Sequence, residues 1–224
     1  MKLFVDTANL DEIKEAAGLG VVSGVTTNPT LLAKNNAGKN GKKLDVKGII
    51  QEICELVPGP VSMECVSDDA QGMIKEGREF AKWADNVYVK VPFGVEGMKA
   101  CRTFTDEGIR TNVTLVFSCN QALLAANAGA TFISSFVGRL DDIGFDGIQI
   151  IAEAVQLVEM HGFESQILAA SIRHPLHVTQ AAAAGAHIST IPFKVLKQMY
   201  DHPLTEKGVA SFKADWEKLQ AALV

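Results

Sequence analysis

Val87-Tyr88-Val89-Lys90-Val91-Pro92 is an apolar run interrupted by a single amine. In an extended chain Val87, Val89 and Val91 share one face, and Tyr88 and Lys90 share the other. Runs that are apolar on both faces belong to strands covered on both sides, as in parallel sheets packed beneath helices. If such a sheet closes into a barrel, the Tyr88–Lys90 face is its interior. A buried lysine is costly unless it is neutralised or paired. The chemistry that uses such an amine is Schiff-base formation with a carbonyl substrate. The competing reading is a strand-end lysine whose ammonium snorkels to solvent.

Outward from this run, short β-rich segments alternate with amphipathic ones along the chain. The expected strands are Leu3–Asp6, Val21–Thr26, Val61–Val66, Val87–Val91, Thr111–Val116, Thr131–Val137, Ile167–Ser171 and His187–Ile191. Between them lie helical patterns at Leu10–Ala17, Val46–Leu56, Asp68–Trp83, Gly97–Glu107, Asn120–Asn127, Gly147–His161 and Pro175–Ala184, several opened by Asn, Ser, Asp or Pro. Eight strands each followed by a helix predict an α/β fold, a parallel (β/α)8 TIM barrel. A doubly wound open sheet is the alternative. It usually has a Gly-rich phosphate turn after its first strand, where this chain has Asp6-Thr7-Ala8-Asn9.

No linker, low-complexity tail or repeat divides the chain, so residues 1–224 read as one barrel domain, with 205–224 a C-terminal helical extension. Its amphipathic stretch Val209–Leu223, with Phe212, Trp216 and Leu219, either packs on a neighbouring subunit or covers its own barrel. The basic, Gly/Asn-rich segment Asn35–Lys43 reads as a solvated surface loop, with a functional lid as the other reading.

Of 224 residues, 47% are hydrophobic and 21% charged, the balance of a globular protein. Twenty-one basic against 26 acidic residues give a net charge of −5, which argues against general nucleic-acid binding but permits a local cationic pocket. No signal peptide opens the chain and no apolar stretch is long enough to span a bilayer, so the expectation is a cytoplasmic protein without membrane partners. Cys54, Cys65, Cys101 and Cys119 lack metal-ligand spacing and read as reduced, mostly buried thiols. His174 and His177 form an HxxH pair, but Pro175 makes the segment a loop-to-helix junction. Structural or substrate-side roles are therefore expected for them rather than metal binding.

In a (β/α)8 barrel the active site sits at the C-terminal ends of the strands. Strand one ends in Asp6, strand two in Thr26-Thr27-Asn28, strand three has Glu64 and strand four Lys90. Asn112 and Thr114 on strand five lie two apart and share its inner face. Ser134, Phe136 and Arg139 follow from strand six, Ser171 and Arg173 from strand seven. Singly, each polar residue is most simply a cap or turn residue. Together they divide by chemistry: Asp6 and Glu64 could exchange protons near Lys90, with Thr114 holding a water. Arg139, Arg173 and Ser171 suit a phosphate dianion. An amine facing a phosphate clamp points to a phosphorylated sugar.

Six separated motifs sharpen this reading: Phe4-Val5-Asp6-Thr7-Ala8-Asn9, Gly24-Val25-Thr26-Thr27-Asn28-Pro29-Thr30, Val89-Lys90-Val91-Pro92, Thr111-Asn112-Val113-Thr114-Leu115-Val116-Phe117, Gly138-Arg139-Leu140-Asp141-Asp142-Ile143-Gly144 and Ala169-Ala170-Ser171-Ile172-Arg173-His174-Pro175. With them the chain resembles the short, single-barrel transaldolases, in the same family as fructose-6-phosphate aldolase. The resemblance implies a metal-free mechanism without cofactor, moving a three-carbon dihydroxyacetone unit between sugar phosphates. In it Lys90 matches the Schiff-base lysine, and Asp6 the general base that takes the C4 hydroxyl proton and so breaks the C3–C4 bond. Glu64 and Thr114 match the pair that positions a water for proton transfers. Asn28 and Asn112 match residues that bind the three-carbon unit, Ser134 lines the same pocket, Thr26 and Phe136 stand beside it, and Arg139, Ser171 and Arg173 match the phosphate group's ligands. The resemblance also implies a homo-oligomer, a ring of five or a double ring of ten.

Aldolase members of that family carry Gln where this chain has Glu64 and Tyr where it has Phe136. The tyrosine helps protonate the enamine so that free dihydroxyacetone leaves, and Phe136 cannot supply that proton. Transfer is therefore expected over release, with the aldolase as the alternative. A third reading is a catalytically silent barrel that binds a phosphosugar, for which the lysine, two carboxylates and threonine would be superfluous. The chain departs from its relatives at Gly94, which removes a helix-capping hydroxyl, and at Ser135, which replaces a common proline.

Overall fold

Eight parallel strands close on themselves in sequence order. They are β1 (Lys2–Asp6), β2 (Val22–Thr26), β3 (Val61–Glu64), β4 (Val87–Pro92), β5 (Thr111–Val116), β6 (Phe132–Phe136), β7 (Gln166–Ala170) and β8 (Ile188–Ile191), with β8 pairing back onto β1. The structure is a computed structural model and describes residues 1–36 and 45–223. The helices are α1 (Leu10–Gly18), α2 (Pro29–Asn36), α3 (Val46–Leu56), α4 (Ala70–Phe80), α5 (Val95–Asp106), α6 (Cys119–Asn127), α7 (Val137–Asp141), α8 (Gly147–Met160), α9 (Pro175–Ala183), α10 (Phe193–Gln198) and α11 (Pro203–Ala222). The barrel and its C-terminal helix are those the alternating pattern predicts. The basic loop expected over 35–43 lies outside the described residues from 37 onward.

Side-chain acceptors open the helices as the sequence suggested. Asn9, Asp45, Asp69, Ser118 and Asp146 each accept first-turn backbone N–H groups, satisfying donors that have no partner within the helix. Gly94 caps α5 without a side-chain bond, as expected of that departure.

Three strands stop short of the sequence expectation. β3 stops at Glu64 rather than Val66, because the Val66 N–H is taken by the Glu76 carboxylate at 2.9 Å. β7 stops at Ala170, because Ser171 turns into the left-handed region at φ 58°. Val137 leaves β6 to begin α7, a helix the sequence did not announce.

The period-2 pattern divides the apolar residues into two cores. Val5, Val25, Val61, Val89, Val91, Val113, Ile133 and Ile167 point outward and pack with Ile13, Ile50, Ile53, Phe104 and Ile151 of the helix layer. Each such burial contributes roughly 1.5–3 kcal/mol. That sum exceeds the several kcal/mol needed to desolvate one internal ion pair, so the outer core can carry a polar interior. Inside, Phe4, Tyr88, Phe132, Leu168 and Ile188 form a second cluster. Tyr88 stacks on Phe132 at 4.8 Å and Phe4 meets Phe132 edge-on at 5.9 Å. Gly24 lets Phe4 in, since a Cβ there would stand 2.5 Å from its ring. This plug fills the barrel below the level of Lys90.

α11 buries none of its side chains, and Phe212, Trp216, Leu219 and Leu223 form an exposed stripe along it. Among the described residues no helix is long and apolar enough to cross a membrane.

Candidate active site

Above the plug the barrel opens into a cavity of about 550 Å³ at the C-terminal strand ends. Asp6, Thr26, Asn28, Glu64, Lys90, Thr114, Ser134, Phe136, Arg139, Ser171 and Arg173 all line it. A second, almost wholly apolar concavity of about 630 Å³ lies against α5 and α6, lined by Phe93, Met98 and Leu124. Among the described residues its only ionisable lining groups are Lys99 and Arg102, which make no acid–base pair.

Lys90 is buried on β4, in register with Glu64 of β3 and Asn112 of β5. Its Nζ lies 2.9 Å from Glu64 Oε2 and donates to the Thr27 carbonyl at 3.0 Å. The amine is thus held by one carboxylate and one backbone oxygen, a pairing that a buried cation requires. Across the cavity, Asp6 Oδ1 accepts from Thr26 Oγ1 at 2.7 Å, and Thr26 Oγ1 is 2.6 Å from Thr190 Oγ1. Burial pushes the Asp6 pKa up from its ordinary value; the Lys90 charge and the Thr26 hydrogen bond oppose that shift, and Glu64 adds to it. The raised value suits a group that must accept and return a proton.

Asn112 stands apart from the lining set. It is fully buried one level below, donating from Nδ2 to Ser62 Oγ at 3.0 Å and accepting from Ser134 Oγ at 2.7 Å. Ser134 therefore stands between it and the cavity. Thr114 reaches the cavity at a bulge, where the β5–β6 register shifts between Val113 and Val116 and Leu115 adopts φ 62°. Strained backbone of this kind is concentrated at functional sites. Asn28 accepts from Leu31 N–H at 2.9 Å, which fixes its carboxamide at the start of α2.

The cationic wall is built from two loops locked together. Gly138 donates its N–H to the Ser171 carbonyl at 3.0 Å, and a Cβ at Gly138 would collide with that same oxygen and with the Arg173 side chain. Arg139 lies over the Phe136 ring at 4.8 Å, and Phe117 supports that ring from 5.4 Å. Arg173 Nη2 pairs with Asp142 Oδ2 at 2.9 Å, with both side chains more than half exposed.

His177 ties the same two loops from behind. Its Nδ1 accepts the Arg173 N–H at 3.4 Å and its Nε2 lies 3.0 Å from Asp141 Oδ2. An Nδ1 that accepts cannot carry the proton, so the neutral ring holds it on Nε2 and donates to Asp141. Burial, with the neighbouring His174, pulls the His177 pKa below the usual imidazole value. His174 Nδ1 in turn accepts the His177 N–H at 3.3 Å. The HxxH pair is thus committed to loop architecture.

Sequence reasoning passed over Thr190, Asp141 and the part His177 plays. Thr190 was within reach of the strand period, being two residues from the inward Ile188. The His177–Asp141 contact joins residues 36 apart in the chain, with no local signal to reveal it. Burial pushes the thiols up, Cys54 and Cys119 to about 11 and Cys65 to about 12, so none is a ready nucleophile.

Comparison with known proteins fits this geometry. A probable transaldolase of Geobacillus thermodenitrificans is 54% identical over 220 residues, covering 98% of this chain and all of the relative. One of Lysinibacillus sphaericus is 56% identical over 218 residues, covering 97% and 98%. Among solved structures, a 2,3-dimethylmalate lyase aligns over the whole chain and 84% of its own, with TM-score 0.57 and 13% identity. A thiamine phosphate pyrophosphorylase from Pyrococcus furiosus covers 85% of each chain with TM-score 0.58 and 15% identity. Those two likenesses concern the fold alone. The profile of the Transaldolase/Fructose-6-phosphate aldolase family matches residues 3–223, and with relatives above half identity over nearly full length, this enzyme belongs to that family.

Proposed function

We propose that the enzyme is a transaldolase that moves a dihydroxyacetone unit from fructose 6-phosphate or sedoheptulose 7-phosphate to an aldose phosphate, erythrose 4-phosphate or glyceraldehyde 3-phosphate. In this reading it serves the non-oxidative pentose phosphate pathway, in the cytoplasm. The observation that carries the proposal is the buried Lys90 amine 2.9 Å from Glu64, in one cavity with Asp6. Glu64 takes a proton from Lys90, and the neutral amine attacks the ketose C2 carbonyl. The carbinolamine oxygen leaves as water with a proton delivered from Glu64, Thr114 holding the water that shuttles it.

Asp6 then takes the C4 hydroxyl proton. The C3–C4 bond breaks, its electrons pass into the iminium, and an aldose phosphate leaves an enamine on Lys90. A second aldose phosphate accepts the enamine carbon, and the steps run in reverse. Asn28 and Ser134 hold the three-carbon unit, Asn112 backing Ser134 from below, and Thr26 steadies Asp6. Arg139, Ser171 and Arg173 hold the phosphate of donor and acceptor alike.

The same reading makes the protein a homo-oligomer, a pentamer or decamer, with the exposed α11 stripe of Phe212, Trp216 and Leu219 packed on a neighbouring copy. A coupled assay with fructose 6-phosphate, with and without erythrose 4-phosphate, tests the activity. Turnover that depends on the acceptor supports transfer; equal turnover without it assigns the aldolase reaction, and none in either arm leaves a binding barrel.

A further inference from the structure

Thr190 is buried on β8, two residues past the inward Ile188, and lines the cavity. Its Oγ1 is 2.6 Å from Thr26 Oγ1, which is 2.7 Å from Asp6 Oδ1. A hydroxyl has one proton to donate. When Asp6 is a carboxylate, which can only accept, Thr26 must donate to it, and the short contact with Thr190 then requires Thr190 to donate to Thr26. The three groups form a chain with one direction, and each donated bond polarises the next.

We propose that Thr190 is a positioning residue for carbon–carbon bond cleavage, fixing the single Thr26 proton onto Asp6 Oδ1 and so presenting Oδ2, which accepts from neither threonine, to the substrate hydroxyl. This rests on the reading of Asp6 as the general base. The charged groups facing Asp6 are Lys90 on β4, which favours its carboxylate, and Glu64 on β3, which opposes it. The remaining support comes from β2 and β8, through the threonine pair. Removing the Thr190 hydroxyl takes away the donor that polarises Thr26, weakening a bond that helps keep Asp6 ionised.

The test compares Thr190→Val, which keeps the shape and deletes the hydroxyl, with Thr190→Ser, which keeps the hydroxyl. Thr190→Val should lower kcat for fructose 6-phosphate by about 5–10-fold, the rate equivalent of one lost hydrogen bond. KM should stay within about two-fold, and the acid limb of the kcat/KM profile should move to higher pH. Thr190→Ser should restore both. Borohydride trapping of dihydroxyacetone on Lys90, which involves no carbon–carbon cleavage, should be unchanged in either variant. Thr190→Ala supplies the same readouts if valine impairs folding. A Thr190→Val protein with wild-type kcat and acid limb overturns the proposal, as does a variant that loses trapping and cleavage in equal measure. Asp6→Asn in the same assay separates the two levels. If Asp6→Asn is inactive while Thr190→Val behaves as wild type, only the Thr190 role fails; if Asp6→Asn still cleaves, the general-base reading fails with it.

Discussion

Glu64 Oε2 lies 2.9 Å from Lys90 Nζ, so the amine and its nearest carboxylate are in direct contact across neighbouring strands. Proton transfer between them needs no rearrangement of the barrel. Lys90→Ala should abolish both turnover and borohydride trapping of a three-carbon adduct from fructose 6-phosphate. Glu64→Gln should still be trapped, but more slowly by about 10–100-fold, as expected for loss of a general acid–base. Peptide mass analysis of the adduct checks both. An active, untrappable Lys90→Ala protein would exclude the Schiff base.

Asp6 gives a prediction in which stability and activity move in opposite directions. Its pKa is raised in the folded state, chiefly by burial, so the folded chain binds its proton more tightly than the unfolded chain does. The associated stability is present below the unfolded value of about 3.9 and is lost as pH rises through the higher folded value. At neutral pH the ionised group therefore opposes folding. Asp6→Asn removes that charge and should raise Tm by roughly 2–4 °C while abolishing cleavage. In the unmodified enzyme the acid limb of kcat/KM should fall above the ordinary carboxylate range. A thermal melt in which Asp6→Asn is less stable would contradict the burial argument.

The clamp loops predict a split between substrates. Arg173→Ala should raise KM for fructose 6-phosphate by about 10-fold, the equivalent of one charge-assisted contact. Reactions of unphosphorylated dihydroxyacetone should change little. Gly138→Ala should show the same split with every charge retained, because its Cβ would displace the Ser171 carbonyl and Arg173. Equal losses on both substrates would assign these residues to folding instead.

The alternation in Val87–Pro92 and its seven counterparts suffices to place Lys90, Glu64, Asn112 and Thr114 on the barrel's inner face, because side-chain direction in a strand is set by parity. The strand ends were less legible. Whether a chain leaves a sheet at Glu64 or two residues later depended on Glu76, ten residues from the Val66 N–H that it captures. The bulge at Leu115 and the left-handed turn at Ser171 carry no glycine to announce them. The depth of Asn112 beneath Ser134 follows from register between strands, which one strand's pattern does not contain. Parity reveals which face a residue takes, whereas height within the barrel is a property of the closed sheet.

The last prediction concerns the fate of the enamine and rests on one ring. Phe136 lines the cavity with the Phe117 ring tilted against it at 5.4 Å and its face covered by Arg139 at 4.8 Å. A phenyl ring offers no proton, so in the proposed mechanism an enamine on Lys90 would be left to meet an acceptor aldehyde. Phe136→Tyr would add a phenol within this same packing, since a tyrosine ring keeps the face on which the guanidinium rests. A positioned acid contributes about 10²–10⁴-fold to a proton transfer. Even a poorly aligned phenol should therefore raise release of free dihydroxyacetone from fructose 6-phosphate by about 10-fold or more. Transfer to erythrose 4-phosphate should fall at the same time, because both outcomes draw on one intermediate. Product analysis without acceptor, run on both proteins, decides the matter. If the unmodified enzyme already releases dihydroxyacetone as fast as it transfers it, Phe136 does not govern the partition, and the aldolase reaction is the one this cavity performs.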